Sequence, residues 1–228
     1  MLDIQVTPAW RDAFPGAHIG LLEVSRVDNT PRPSALDAEK EAVAERLRRQ
    51  YAGYTRADFL ALPVMAAYWN YYKRFGKTYH VLLQVESVAL RGKPLPSVSP
   101  LVDANFAAEL DTLTLAAGHD VARLAPPVVI DVTRDDETFS QMGGARKALR
   151  AGDMVMRDAD GIACTILYGQ DDRSPISAAT THALYVVYAP IGVGAAAVQA
   201  QVGAIERNIA LFAPGDRREQ ARIASAPA

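Results

Sequence analysis

The stretch SPLVDANFAAELDTLTLAAGHD, residues 99–120, decides the fold that we predict for this chain. Ser99 and Pro100 are a typical helix start, because serine caps the first turn and proline fits within it. Apolar side chains then recur at helical spacing and form one face: Phe106, Leu110, Leu113 and Ala117. Gly118 is a typical stop. The pattern predicts one helix over residues 100–117, and the rest of the chain is expected to build walls around it.

His119 and Asp120 are the strongest candidates for chemistry, because the predicted stop at Gly118 places them in the loop after the helix, where they are able to act on a ligand. Histidine titrates near neutral pH, and an adjacent carboxylate orients it or raises its pKa. A structural alternative stays open, in which Asp120 caps the next turn and His119 packs beneath it.

The bulk composition indicates a globular protein with a sizeable core. Of its 228 residues, 50% are hydrophobic and 22% are charged, and the formal net charge is −2. Proteins that grip long nucleic acids by their phosphates are usually basic. We therefore expect no DNA partner, and any RNA contact should be local or made to an end.

Cysteine usage and targeting patterns favour a cytoplasmic protein without a membrane partner. Cys164 is the only cysteine, which excludes an internal disulfide and favours a reducing compartment. It lies in an apolar stretch and is expected to be a small buried residue. No secretory signal begins the sequence, and no apolar run approaches the length of a membrane span.

No cofactor or metal is predicted. Gly143 and Gly144 lack the lysine and hydroxyl residues that complete a phosphate-binding loop. The four histidines are far apart in sequence and do not show the spacing of metal ligands.

Helices dominate the first half of the chain and strands the second. The predicted helices cover 34–51, a segment from Thr55, 63–75, about 78–90 and 194–212. The predicted strands cover 2–6, 17–24, 128–132, 153–157, 162–168 and 183–188. The absence of a regular strand–helix alternation predicts a single α+β domain with a mixed sheet over residues 1–214. Residues 215–228 are expected to be a frayed tail.

Two further segments carry candidate binding residues. Tyr168, Gln170 and Asp171 lie in a polar loop at the end of an apolar strand, a place from which side chains reach a pocket rim. His80 and Gln84 share a stripe of the helix predicted near residues 78–90 and are further candidates for substrate binding. An ordinary turn is the alternative for the loop.

A run of basic and aromatic residues at 71–80 is a candidate RNA contact through Lys73, Arg74 and Lys77. Aromatic rings between cations stack bases and hold phosphates. The alternative is that the rings pack between helices and the cations are solvated.

The order of these pieces resembles the B3/B4 domain, the tRNA-editing domain of the phenylalanyl-tRNA synthetase β subunit. The PLVD motif at residues 100–103 and Asp120 are similar to the family's PLVD…GxxD pattern. LRAGD at 149–153 resembles the segment that opens the family's central hairpin. Gly169, Gln170 and Asp171, with the residues up to Thr180, resemble its GGEDSGVSEDT loop. The resemblance covers roughly residues 60–190 and implies a free-standing B3/B4 protein without an aminoacylation core.

The family's pocket residues have changed at three places. The family's Thr-Asn pair after PLVD aligns with Asn105 and Phe106, and its pocket histidine aligns with Ala117, so that His119 is the nearby histidine. Its loop glutamate corresponds to Gln170 or Asp171. These departures do not support tyrosine specificity.

The resemblance implies a hydrolase that removes a wrongly attached amino acid from tRNA, with the tRNA acceptor end and the amino acid as partners. The pocket would lie between the helix at 100–117 and the sheet. His119 or Asn105 would orient the water, and Gln170, Asp171, Tyr168, His80 and Gln84 would hold the substrate. The alternative is a non-catalytic module on the same fold, which binds an amino acid, an RNA end or a protein.

Overall fold

The computed structural model describes residues 2–30, 33–213, 215 and 218–227. The boundary expected at Pro214 lies outside the described residues. The described chain forms these α-helices: α1 (Pro8–Ala13), α2 (Ser34–Gln50), α3 (Arg56–Ala61), α4 (Pro63–Lys73), α5 (His80–Ala89), α6 (Pro100–Thr112) and α7 (Ala195–Ala210).

In the described chain, one strand precedes the first helix, one follows the last helix, and the others lie between helices. They are β1 (Ile4–Val6), β2 (His18–Ser25), β3 (Ala116–Asp120), β4 (Val128–Val132), β5 (Thr138–Ser140), β6 (Arg146–Ala148), β7 (Met154–Asp158), β8 (Gly161–Thr165), β9 (Gly169–Gln170), β10 (His182–Ala189) and β11 (Arg218–Ser225). Four consecutive helices separate β2 from α6, and most strands come later. The prediction of an α+β fold with a mixed sheet is confirmed.

Two sheets carry the core. One has the strand order β1-β4-β7-β8-β9, with β1 parallel to β4 and the other pairs antiparallel. The other is antiparallel, with the order β11-β2-β10-β3. Strands β5 and β6 form a separate hairpin. Helix α7 packs on β2 so closely that a Cβ on Gly20 would lie 2.5 Å from Cγ1 of Val198.

Helix α6 is buried on several sides, which explains why a single apolar face does not describe it. Its N-terminus is held by Asp103, whose Oδ2 lies 2.7 Å from Nζ of Lys40 and whose Oδ1 accepts the Val98 N–H. Lys40 is only 5% exposed, although it belongs to the charged side of α2. The buried ion pair ties α6 to α2, because a buried charge needs a partner.

Residues 113–120 depart from the predicted helix. Helix α6 ends at Thr112, and Leu113 adopts a left-handed conformation with φ 62°, which breaks the helix. The chain then enters β3, which pairs with β10 in register from Ala116↔Val187 to Asp120↔Ala183. The helix predicted over 100–117 is therefore too long, because pairing with β10 outweighs the helical spacing of Leu113 and Ala117. Consequently His119 and Asp120 lie in a strand.

The expected tail contains a strand. Strand β11 pairs with β2 over eight residues, and the Ala226 N–H donates to the Ala17 carbonyl beyond its end. The sequence REQARIAS has weak apolar alternation, and its pairing comes from the free edge that β2 offers. In the described part of the chain, no helix combines the length and the apolar composition needed to cross a membrane.

Candidate functional site

A cavity of about 440 Å³ lies beside α6. Its walls come mainly from α6, the start of β3, strands β8 and β10, the segment that leads to β9, and the N-terminal half of α5. This volume is in the range of small-molecule pockets. The cavity thus lies between the central helix and the sheets, where the sequence predicts a pocket.

Five of the predicted site residues line the cavity: Asn105, His80, Gln84, Tyr168 and Gln170. They come from α6, α5 and the β8–β9 segment, which are distant in sequence. The structure brings these side chains to one cavity, and the role of each stays a prediction.

Asn105 and Glu109 fix the floor of the cavity through one residue of β3. The Asn105 side-chain amide donates to the Ala116 carbonyl at 3.2 Å, and the Ala116 N–H donates to Oε1 of Glu109 at 2.9 Å. Both side chains lie one turn apart on α6, so they project from the same face. These bonds leave Oδ1 of Asn105 buried without a partner among the described residues.

Glu109 is a cavity residue that the sequence analysis missed. It is 4% exposed, and burial raises the pKa of its carboxyl to about 8. The Glu109 side chain is therefore largely protonated at neutral pH. A glutamate inside the otherwise apolar segment FAAEL was the available signal, since such a position is rarely left to a charged side chain.

The β8–β9 segment closes another side of the cavity. Gly169 has φ +80°, a conformation that favours glycine, and it places Gln170 against β3. The Gln170 side-chain amide donates to the Gly118 carbonyl. The side chain of Gln141, which also lines the cavity, donates to the Tyr168 carbonyl at 2.8 Å and holds the segment in place.

His80 and Cys164 line the cavity as uncharged groups. His80 packs against Tyr72 and Tyr79, with ring centroids 6.2 and 5.7 Å away, and the desolvation caused by its neighbours lowers its pKa. The Cys164 thiol is buried as predicted, and burial raises its pKa to about 12. Both groups are therefore uncharged at neutral pH, and the thiol is a poor nucleophile.

His119 does not fit the expected catalytic role, because it is 0% exposed and does not line the cavity. Its Nδ1 lies 2.8 Å from Oγ of Ser174, which donates to Oδ1 of Asp171 at 2.6 Å. Since the serine proton is used on Asp171, the histidine carries its proton on Nδ1, and Nε2 stays buried without a partner. Burial lowers the pKa of His119 to about 3.

The structure instead has the alternative arrangement for this segment. Oδ1 of Asp120 accepts the Ala122 N–H at 3.0 Å and caps a short 3-10 turn at Val121–Arg123, while its Oδ2 accepts the Thr180 hydroxyl at 2.8 Å. His119 is packed beside this cap. The prediction placed His119 in a loop, whereas it lies at a buried position of β3 opposite Pro175.

Asp171 also does not fit its expected role as a substrate contact. It is 1% exposed, accepts the Ser174 N–H, and lies 2.8 Å from Nε of Arg173. It follows Gln170 directly, and the alternation along the chain directs the two side chains to different sides. Of the two alternatives for the loop position, only Gln170 reaches the cavity.

The basic run lies partly beside the cavity. The aromatic side chains between the cations are buried, as the packing alternative predicts: Tyr71, Tyr72, Phe75 and Tyr79. Lys73, Arg74 and Lys77 are exposed. Nζ of Lys77 lies 4.9 Å from the ring centroid of Tyr168, which places this cation next to a cavity residue.

Within the described ranges, no group of three or more histidine, cysteine or acidic side chains is arranged to hold a metal ion. The polar atoms at the cavity are amide and carboxyl groups, the His80 ring, and the hydroxyl groups of Thr165 and tyrosines. These groups are able to bind polar parts of an organic ligand through hydrogen bonds.

Comparison with known proteins identifies the family. The sequence model of the B3/4 domain matches residues 67–202, which is more than half of the chain. Among solved structures, the chain is similar to an N-terminal fragment of the phenylalanyl-tRNA synthetase beta-subunit from Pyrococcus horikoshii, with 9% identity and a TM-score of 0.46. That match covers 96% of this chain and 49% of the other, so this chain spans about half its length. No curated protein matches. On the family match, the chain belongs to the B3/4 domain family.

Proposed function

We propose that this protein hydrolyses the ester bond between a wrongly attached amino acid and the terminal ribose of tRNA. The observation that carries the proposal is the cavity of about 440 Å³, which is formed by the same segments that carry the family's motifs: α6, β3 and the β8–β9 segment. A mainly apolar cavity with a few fixed polar groups suits an amino acid.

In the proposed reaction, Gln170, Tyr168, His80 and Gln84 contact the amino acid. The free Oδ1 of Asn105 accepts a hydrogen bond from the attacking water, since its amide group is already held by Ala116. A hydroxyl of the substrate's own ribose takes part in orienting the water. Lys73, Arg74 and Lys77 contact the phosphates of the acceptor end, in keeping with their exposure.

The test is deacylation of a panel of mischarged tRNAs. The wild-type protein should release the amino acid from at least one member. Ala117→Leu, which extends a cavity-lining side chain, should slow release by about tenfold or more, because a small misplacement of the ester is costly. Ala159→Leu is the matched control, since Ala159 is exposed in the β7–β8 turn. No release above the uncatalysed rate for any member contradicts the proposal.

A non-catalytic binding module is the second candidate. The observation that favours it is the protonation state of Glu109: its carboxyl group is largely protonated at neutral pH and does not act as a general base there. Ligand binding without deacylation of any tRNA would support this candidate.

A further inference from the structure

Glu109 presents one carboxyl oxygen to the cavity. Its Oε1 accepts the Ala116 N–H, which orients the carboxyl group. No described residue donates to Oε2. Because the Glu109 side chain is enclosed by the protein except where it lines the cavity, Oε2 is the atom available to a ligand.

Among the described residues, no cationic side chain lies beside Glu109. The titratable groups that face it are Tyr68 and Tyr72 from α4 and Tyr79 just before α5, and burial keeps these hydroxyls protonated by raising their pKa values. No lysine or arginine is found among the described residues that line the cavity. Lys77 packs on Tyr168 but lies outside this lining.

The free Oε2 of Glu109 and the absence of cations from the described lining determine which ligand charge the cavity favours. A cationic group on Oε2 would supply the missing countercharge and stabilise the ionised carboxylate. A carboxylate in the same cavity would meet no cation and would be costly to desolvate. The cavity therefore favours a ligand with an ammonium group and without a free carboxylate.

An amino acid that is esterified through its carboxyl group has this chemistry, whereas a free amino acid does not. The spacing on α6 agrees with it. Asn105 lies one turn before Glu109, about 5–6 Å away between Cβ atoms. An α-ammonium group on Glu109 would thus leave the adjacent ester carbonyl close to Asn105.

We propose that Glu109 receives the α-ammonium group of an amino acid bound as an ester or amide, and that the cavity thereby discriminates against the free amino acid. The inference rests on the proposed function for the identity of the natural ester, but its binding step is independent of hydrolysis. Binding shifts Glu109 from the carboxylic acid to the carboxylate, and the proton leaves to solvent.

The test uses isothermal titration calorimetry with a panel of L-amino acid amides, their N-acetyl derivatives and the free L-amino acids. Amides resemble the ester but resist hydrolysis. At least one amide should bind. The affinities of its N-acetyl derivative and of its free acid should each be lower by about tenfold or by a larger factor. Titrations at pH 7 in two buffers of different ionisation enthalpy should show release of most of one proton.

The pH dependence separates this role from a merely structural one. At pH values below the Glu109 pKa of about 8, the fraction of ionised carboxylate falls about tenfold per pH unit. The affinity of the amide should therefore fall about tenfold from pH 7 to pH 6. Glu109→Gln keeps an acceptor for the Ala116 N–H but removes the charge. It should abolish the proton release and the dependence on pH. Glu45→Gln, on the exposed face of α2, should leave both unchanged.

Several results would overturn the inference. They are no binding by any amide, equal affinity for amide and free acid, equal affinity for the N-acetyl amide, or unchanged proton release in Glu109→Gln. Retained binding of Nα-acetyl-lysine amide alone would assign Glu109 to a side-chain ammonium group and contradict the α-ammonium contact. Amide binding without deacylation of any tRNA would contradict the proposed function and leave this inference intact.

Discussion

At the residue scale, the direction of each buried side chain decides its role more than its residue type does. Glu109 and His119 are both buried and both uncharged at neutral pH. Glu109 lines the cavity, whereas His119 is bonded into the network of Ser174 and Asp171. Residue type alone favoured His119, because imidazole is the commonest catalytic base. The sequence does not reveal which way a side chain points where a helix gives way to a strand.

The position of His119 makes a prediction about pH. The folded protein holds His119 neutral with a pKa of about 3, while the unfolded chain binds a proton near pH 6.5. Between these values the unfolded state binds more protons, so the free energy of unfolding should fall as pH drops from 6.5 towards 3, by at most about 1.4 kcal/mol per pH unit from this group.

His119→Asn tests this prediction by urea denaturation at several pH values. Asparagine keeps a donor for Ser174 but does not titrate. The variant should be less stable than wild type at pH 8, by about 1–3 kcal/mol for the lost ring. The gap should narrow as pH falls below 6.5, and any deacylation by the folded protein should persist.

His18→Asn is the matched control, because Nδ1 of His18 also bonds a serine hydroxyl, that of Ser225 at 2.7 Å, but near the surface. A gap that stays constant with pH for His119→Asn would contradict the assigned burial.

At the element scale, a clear sequence pattern made an element predictable whatever its length: β1 has only three residues and lies within the strand predicted at 2–6. The predicted helix at 34–51 and strand at 128–132 match α2 and β4 closely, since each has a clear periodicity or a continuous apolar run. Helix α1 and strands β5, β6 and β9 are six residues or fewer and were not predicted. Strand β3 was missed because its residues continue a helical spacing, and only its pairing with β10 reveals its conformation.

The packing of α7 on β2 leads to the second prediction. A Cβ at Gly20 would lie 2.5 Å from Cγ1 of Val198 and 3.1 Å from Cβ of Val187. Gly20→Ala should therefore push the helix from the strand and lower the free energy of unfolding by about 1–3 kcal/mol. Thermal or urea denaturation measures the change.

Gly194→Ala is the control, since a Cβ at Gly194 meets no atom within 4 Å. Its effect on the free energy of unfolding should stay below about 1 kcal/mol, the scale of a helix N-cap change.

A double mutant tests the contact itself. Gly20→Ala combined with Val198→Ala should lose less free energy of unfolding than the sum of the two single losses, because the clash is removed. Strict additivity would show that the two elements are farther apart than the structure has them.

At the scale of the whole molecule, the order of short motifs was informative where composition was not. Composition indicates a globular protein, whereas PLVD at 100–103 and the segment from Gly169 indicate the family that the match over residues 67–202 shows. The cavity was predicted in place but not in full, because it is built from α5, α6, β3, β8 and β9. Contacts between elements so distant in sequence are not readable from local patterns.

Strand β11 provides the third prediction, which concerns how much of the chain belongs to the fold. The Ala226 N–H donates to Ala17, and alternation along an antiparallel ladder then directs the Ala224 N–H towards β2 and the Ala221 N–H away from it. Ala224→Pro should lower the free energy of unfolding by about 3 kcal/mol, whereas Ala221→Pro should have a much smaller effect. Equal, small effects in urea denaturation would mean that the segment does not pair in solution.

The hydrogen bonds that join Asn105 and Glu109 to Ala116 also hinder strand pairing between two copies of the protein. Strand β3 is an edge strand, and several of its outer polar groups are engaged: Asn105 and Glu109 bond Ala116, Gln170 bonds the Gly118 carbonyl, and the Ser174 carbonyl accepts the Asp120 N–H. An incoming strand would have to displace these bonds to pair along the whole edge. They therefore hinder intermolecular strand addition, and a ligand that loosened them would also unmask a surface prone to aggregation.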